Sequence, residues 1–126
     1  MGTFHVSARI ENVAERRKSA AIPKLLVDTG SEYTWIPEGI LERIGIRREK
    51  KDLEFVMANG ARITRSVGFA VVHVAGTFTV DEVVFGEQGD LSLLGARSLE
   101  GLNLSVDSRR KRLVAAGPLP AAASLT

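Results

Sequence analysis

The residues with the clearest chemical promise are Leu26-Val27-Asp28-Thr29-Gly30-Ser31. An apolar run ends on a carboxylate, which is followed by a hydroxyl residue, a glycine and a second hydroxyl residue. Gly30 allows a tight turn that brings backbone N–H groups toward the carboxylate. Ser31 is placed to donate to the outer carboxylate oxygen, and Thr29 to turn inward and tie the loop down. A carboxylate held this way is rigid and partly desolvated, as general acid–base work requires. The plainer reading of the same tripeptide is a turn in which Asp28 serves local hydrogen bonds. Few other chemistries are open to the chain. It has no cysteine, which removes disulfides, thiol nucleophiles and cysteine-ligated metals. With only His5 and His73, one chain has too few histidines for a three-histidine metal centre.

The elements around this loop read as mostly β. Phe4 to Ile10 alternates apolar and polar residues and predicts a strand. Ala21 to Val27 predicts a buried strand that stops at Asp28, with Pro23 near its start, where a missing N–H does least harm. Pro37 to Ile44 predicts a short helix, with proline in the first turn and Gly45 at the stop. Leu53, Phe55 and Met57 alternate up to Asn59-Gly60, and Arg62 to Val67 follows, which predicts a hairpin. Phe69 to Ala75 and Phe78 to Phe85 predict a second hairpin turning at Gly76. Leu91 to Leu94 is a short apolar run, Ala96 to Gly101 one helical turn, and Leu102 to Val106 and Leu113 to Ala115 two last strands. Seven or eight short strands with one clear helix imply an all-β sandwich or barrel.

Length and composition fit such a fold. The chain has 126 residues, 44% hydrophobic and 25% charged, enough to bury a core unaided. The expected organisation is one domain over residues 1–117 and a loose tail over 118–126, which is rich in Ala and Pro. The net charge of +2 is small. Its basic runs at Arg16-Arg17-Lys18, Arg47 to Lys51 and Arg109 to Arg112 lack interleaved aromatics. They read as solvated turns, so no nucleic-acid partner is expected. No apolar stretch approaches the ~20 residues needed to span a bilayer. The N-terminal residues show no signal-peptide pattern, and Val6 stands where a myristoylation motif wants Ser or Thr. No membrane association and a cytoplasmic location are the expectations.

Three segments in order resemble the aspartic proteases. Leu26 to Ser31 resembles their hydrophobic-hydrophobic-Asp-Thr-Gly-Ser strand, and Trp35-Ile36-Pro37 resembles a Trp-Val-Pro at the same spacing in pepsin-like members. Leu93-Leu94-Gly95, followed by Ala96-Arg97-Ser98-Leu99, resembles the later hydrophobic-hydrophobic-Gly and short helix that interlock with the catalytic loop. Phe55 to Ile63 resembles the flap hairpin that closes over substrate. The resemblance covers residues 4–115. Pepsin-like enzymes hold two lobes in one chain, whereas this chain has one Asp-Thr-Gly. It therefore resembles the retropepsin-like branch, including bacterial members, in which two identical chains build one site.

The resemblance implies an all-β, retropepsin-like acid protease barrel with one or two short helices. It implies an aspartic endopeptidase that is a homodimer acting on a peptide or protein substrate, with no metal or other cofactor. Asp28 would be catalytic, with Thr29, Gly30 and Ser31 supporting the loop and Met57, Ala58, Asn59 and Gly60 touching substrate from the flap. Two carboxylates about 3 Å apart share one proton, which lets one activate water while the other polarises the carbonyl, and a mildly acidic optimum is expected. The flap departs from the family. It has a single glycine and lacks the flap tyrosine of pepsin-like members. Tyr33, Trp35, Val80, Val84 and Leu94 are further candidates to line the site. The alternative on the same fold is a non-catalytic peptide-binding or dimerisation module.

Overall fold

The computed structural model describes residues 3–121. Nine strands and two helices follow in the order β1 (His5–Asn12), β2 (Ser19–Val27), β3 (Thr34–Pro37), α1 (Glu38–Arg43), β4 (Lys50–Val56), β5 (Arg62–Val74), β6 (Thr77–Gly86), β7 (Leu93–Leu94), α2 (Ala96–Leu102), β8 (Leu104–Asp107) and β9 (Arg112–Ala115). Seven of the strands form one sheet in the order β1-β2-β7-β3-β6-β5-β4. An additional pairing of β1 with β5 closes six of them into a ring. The all-β barrel read from the sequence is the fold observed.

One long strand makes the closure possible. The N-terminal half of β5 pairs with β4 and its C-terminal half with β1, while Val67 to Val74 also run along β6. The sequence suggested a break at Gly68, and there is none. Gly68 is instead a point of close approach, since a Cβ there would collide with the Arg47 carbonyl oxygen. The two predicted hairpins are therefore one three-stranded ribbon sharing β5.

Apolar residues face both sides of the sheet. The main core fills the barrel with Ile10, Leu25, Ile36, Leu41, Val72, Val83, Phe85 and Leu94, all fully or almost fully buried. A second cluster of Trp35, Val67, Val84 and Leu93 lies on the opposite face, with Tyr33, Leu53, Phe55 and Ile63 packed against it. Period-two alternation sends neighbours apart: Ile36 and Val83 enter the first cluster, Trp35 and Val84 the second. The short β3 is consequently buried on both faces and carries no amphipathic signal. That is why Trp35-Ile36 does not read as a strand in the sequence. The predicted helix over Pro37 to Ile44 begins one residue later, with Pro37 as its N-cap.

The hairpin of β8 and β9 forms a separate two-stranded sheet. Residues 118–121 are exposed and carry no strand or helix. The rest of the proposed tail, 122–126, and Gly2 lie outside the described residues. No helix among the described residues is long and apolar enough to cross a membrane.

Candidate functional site

The strand bearing Asp28 is held from behind by a segment far along the chain. Leu26 and Val27 pair in parallel with Leu93 and Leu94 of β7, and the Asp28 N–H donates to the Leu94 carbonyl at 3.0 Å. Beyond the loop, the Ala96 N–H donates to the Ser31 carbonyl at 2.8 Å and the Arg97 N–H to the Glu32 carbonyl at 3.1 Å. The start of α2 thus clamps residues 31 and 32. Gly95 sits inside the clamp, where a Cβ would run into the Tyr33 carbonyl oxygen. Only glycine fits there, which explains the Leu-Leu-Gly spacing in physical terms.

Beneath the clamp lies a buried chain of hydrogen bonds. The Gly95 N–H donates to Thr34 Oγ1 at 3.0 Å, and Thr34 Oγ1 and Ser98 Oγ are 2.6 Å apart. Ser98 Oγ in turn donates to Asp81 Oδ2 at 2.8 Å. With Thr34 already accepting and Ser98 bound to a carboxylate, the Thr34 hydroxyl proton points to Ser98. Each hydroxyl both accepts and donates, so the bonds reinforce one another. Thr34 and Ser98 are fully buried.

Within the loop, the Gly30 N–H donates to Asp28 Oδ1 at 2.9 Å, the backbone contact expected of the turn. A Cβ on residue 30 would sit only 3.2 Å from the same oxygen. Two expectations are corrected here. The Ser31 hydroxyl donates to the Tyr33 carbonyl at 2.9 Å and not to Asp28, because the chain bends back on itself after residue 31. Thr29 does not turn inward. It is exposed, as is Gly30, so this face of the loop is open in the protomer.

Asp28 opens onto a cleft of about 690 Å³. One wall is the loop itself, with Gly30, Ser31, Glu32 and Tyr33. The second is the hairpin of β4 and β5, from Leu53 to Ala58. Gly89, Asp90 and Leu91 form the third. The floor is aromatic. Phe55 meets the Tyr33 ring edge-on at 5.5 Å and the Trp35 ring at 5.2 Å, geometries favoured by ring quadrupoles. Arg97 covers the Tyr33 ring at 4.7 Å and bonds Glu82 at 2.9 Å.

The hairpin tip only partly meets the sequence reading. Met57 and Ala58 line the cleft with Asp28, whereas Asn59 and Gly60 do not. Asn59 is occupied with the turn, its Oδ1 accepting from the Ala61 N–H at 2.9 Å, and Gly60 adopts φ +87°. Of the further candidates, Tyr33 and Trp35 line the cleft. Val84 and Leu94 are fully buried, and Val80, though exposed, lies outside it. Sequence reasoning missed Leu53, Glu54, Leu91 and Leu93. Leu53 and Phe55 were findable, since period two puts them on the face of Met57.

Two ion-pair groups brace the walls. Arg65, in β5, makes a two-pronged contact with Asp90 at 2.7 and 2.9 Å. Its hydrogen bond holds the Asp90 carboxyl below its usual range despite burial. Lys50, 2.7 Å from Glu82, lowers the Glu82 carboxyl against burial, and Arg97 adds to the effect. Among the described residues, no group of three His, Cys, Asp or Glu side chains is arranged to hold a metal ion.

No curated protein matches the chain at a significant level. A family model described as "gag-polyprotein putative aspartyl protease" matches residues 20–101. That span begins in β2, carries the Asp28 loop and the hairpin, and ends in α2, and so takes in the whole clamp. With two-thirds of its length in the match and a closed β barrel around it, the chain belongs to the gag-polyprotein aspartyl protease family, of retropepsin type.

Proposed function

We propose that the protein is an aspartic endopeptidase whose active centre forms when two copies bring their Asp28 side chains together. The observation that carries this reading is a single Asp-Thr-Gly loop, clamped from behind and open in front, at the edge of a cleft. The other described aspartates are engaged elsewhere or stand outside such a loop. Asp81 accepts from Ser98, Asp90 is held by Arg65, and Asp52 and Asp107 lie in the β4 and β8 hairpins. A two-fold axis beside the exposed Thr29–Gly30 face would supply the missing carboxylate from an identical chain.

In that pair one proton is shared, because two adjacent carboxylates cannot both ionise; aspartic proteases are the standard instance of this rule. The ionised member takes a proton from a water between them. The protonated member donates to the scissile carbonyl as the water oxygen attacks. The tetrahedral species collapses when the amide nitrogen receives a proton and leaves as an amine. The Gly30 N–H, bonded to Asp28 Oδ1, keeps the carboxylate in plane for both transfers. The β4–β5 tip acts as a flap, with Met57 and Ala58 covering the substrate and Asn59-Gly60 shaping the turn.

Mixing tests the shared site directly. Asp28→Asn abolishes peptide cleavage while the circular dichroism spectrum and the dimer stay intact. At equal amounts of wild type and Asp28→Asn, randomly exchanged dimers leave about a quarter of the wild-type total, not a half. Retention of half the activity would show that chains work singly, and full activity of Asp28→Asn protein would overturn the reading.

A further inference from the structure

We propose that the cleft selects peptides that place a lysine or arginine side chain at Glu32, beside an apolar side chain seated on the aromatic floor. This rests on the protease reading above and adds the substrate class. The cleft and the chain carry opposite charge. The whole sequence has 17 Lys and Arg against 15 Asp and Glu, yet the charged residues lining the cleft are Asp28, Glu32, Glu54 and Asp90, with no Lys or Arg among them.

These four carboxylates are not equivalent. Asp90 is neutralised by the two-pronged contact with Arg65. Glu54 has Arg62 at 3.1 Å, but both side chains are more than half exposed, so that pair is weak. Glu32 has no ion pair among the described residues, while its backbone carbonyl is fixed by the Arg97 N–H. The pinned backbone fixes the root of the Glu32 side chain, so only its rotamers are ordered on meeting a cation. Glu32 stands next to Tyr33, whose ring lines the cleft with Trp35 and Phe55 and offers an apolar seat. An extended peptide sends alternate side chains to opposite sides. One side chain therefore reaches the floor while a neighbour reaches the Glu32 rim.

The test compares peptides that are identical except for lysine or uncharged norleucine at single positions flanking an apolar residue. Wild-type protein is expected to favour lysine at one position about two- to fivefold in kcat/KM, the range of one exposed ion pair. Glu32→Gln brings that ratio close to one, Glu32→Lys inverts it, and added salt shrinks it in the wild type. Binding is read separately with Asp28→Asn protein, using Trp35, the single tryptophan in the chain, as the fluorescence reporter. The same rank order is expected there without turnover. Cleavage with no lysine preference, or a preference that survives Glu32→Gln, overturns the selectivity and leaves the protease reading standing. Lysine-selective binding with no cleavage by the wild type overturns the protease reading and, with it, the assignment of the bound peptide as substrate.

Discussion

Replacing Thr34 by valine removes the pivot of the buried hydrogen-bond chain while keeping its shape. Two bonds are lost, from the Gly95 N–H at 3.0 Å and to Ser98 at 2.6 Å. The losses are unequal. Ser98 keeps its bond to Asp81, so the Thr34–Ser98 bond is worth only about 0.5–1 kcal/mol. The Gly95 N–H has no water within reach, because Thr34, Gly95 and Ser98 are all buried. An orphaned donor there costs about 1–3 kcal/mol. The sum is about 1.5–4 kcal/mol. For a chain of this length about 1 kcal/mol corresponds to roughly 4 °C, so Tm falls by about 6–16 °C. Urea unfolding followed by Trp35 emission, at one fixed protein concentration, measures it. Thr34→Ser keeps the oxygen and loses one methyl, which costs about 1 kcal/mol. If Thr34→Val lies within 1 kcal/mol of wild type, or Thr34→Ser is equally damaging, the chain does not support the clamp.

Glu11 gives a pH signature. Burial raises its carboxyl, but the Arg16 hydrogen bond and the nearby His73 outweigh burial and bring it from 4.5 to about 2. His73 Nε2 lies 3.0 Å from the same carboxylate. A lowered carboxyl contributes stability that is complete above about 4.5 and lost as pH falls toward 2. With Arg9 and Arg16 half exposed, the contribution is about 1–2 kcal/mol. Glu11→Gln should remove that amount at neutral pH and flatten the acid limb of a Tm-versus-pH curve; an unchanged limb would contradict it. Gly95→Ala forces a Cβ onto the Tyr33 carbonyl and should cost more than about 3 kcal/mol, read as loss of the cooperative unfolding transition. A folded, wild-type-like Gly95→Ala protein would refute the close packing.

Much of the site is readable from local pattern because its parts obey local rules. Asp28 ends an apolar run, Asn59-Gly60 turns a hairpin, and Leu93-Leu94-Gly95 supplies a strand and a glycine. What escapes is decided by partners distant in sequence. β3 runs between β6 and β7 and is buried on both faces by the two apolar clusters, so its four residues show no period. Gly68 resembles a strand break until the Arg47 carbonyl is seen against it. The Ser31 hydroxyl reads as a donor to Asp28, and only the path of the loop toward β3 hands it to the Tyr33 carbonyl instead. Thr29 reads as an anchor but is left exposed, since no described element of its own chain packs over it.

The parallel pairing of β2 with β7 also governs timing. Asp28 takes its backbone support from Leu94, and residues 31 and 32 take theirs from the first turn of α2. A chain emerging from the ribosome therefore completes the Asp28 strand long before residues 94–97, which hold the loop at its end, exist. Long-range pairings of this kind are the slow step of β folding, and until they arrive the strand has β1 on one edge and lacks β7 on the other. A growing chain lacks a competent loop until Gly95 and α2 have been synthesised and have docked. Asp28 is thus made early and fixed late, after residues 94–97 have followed it out.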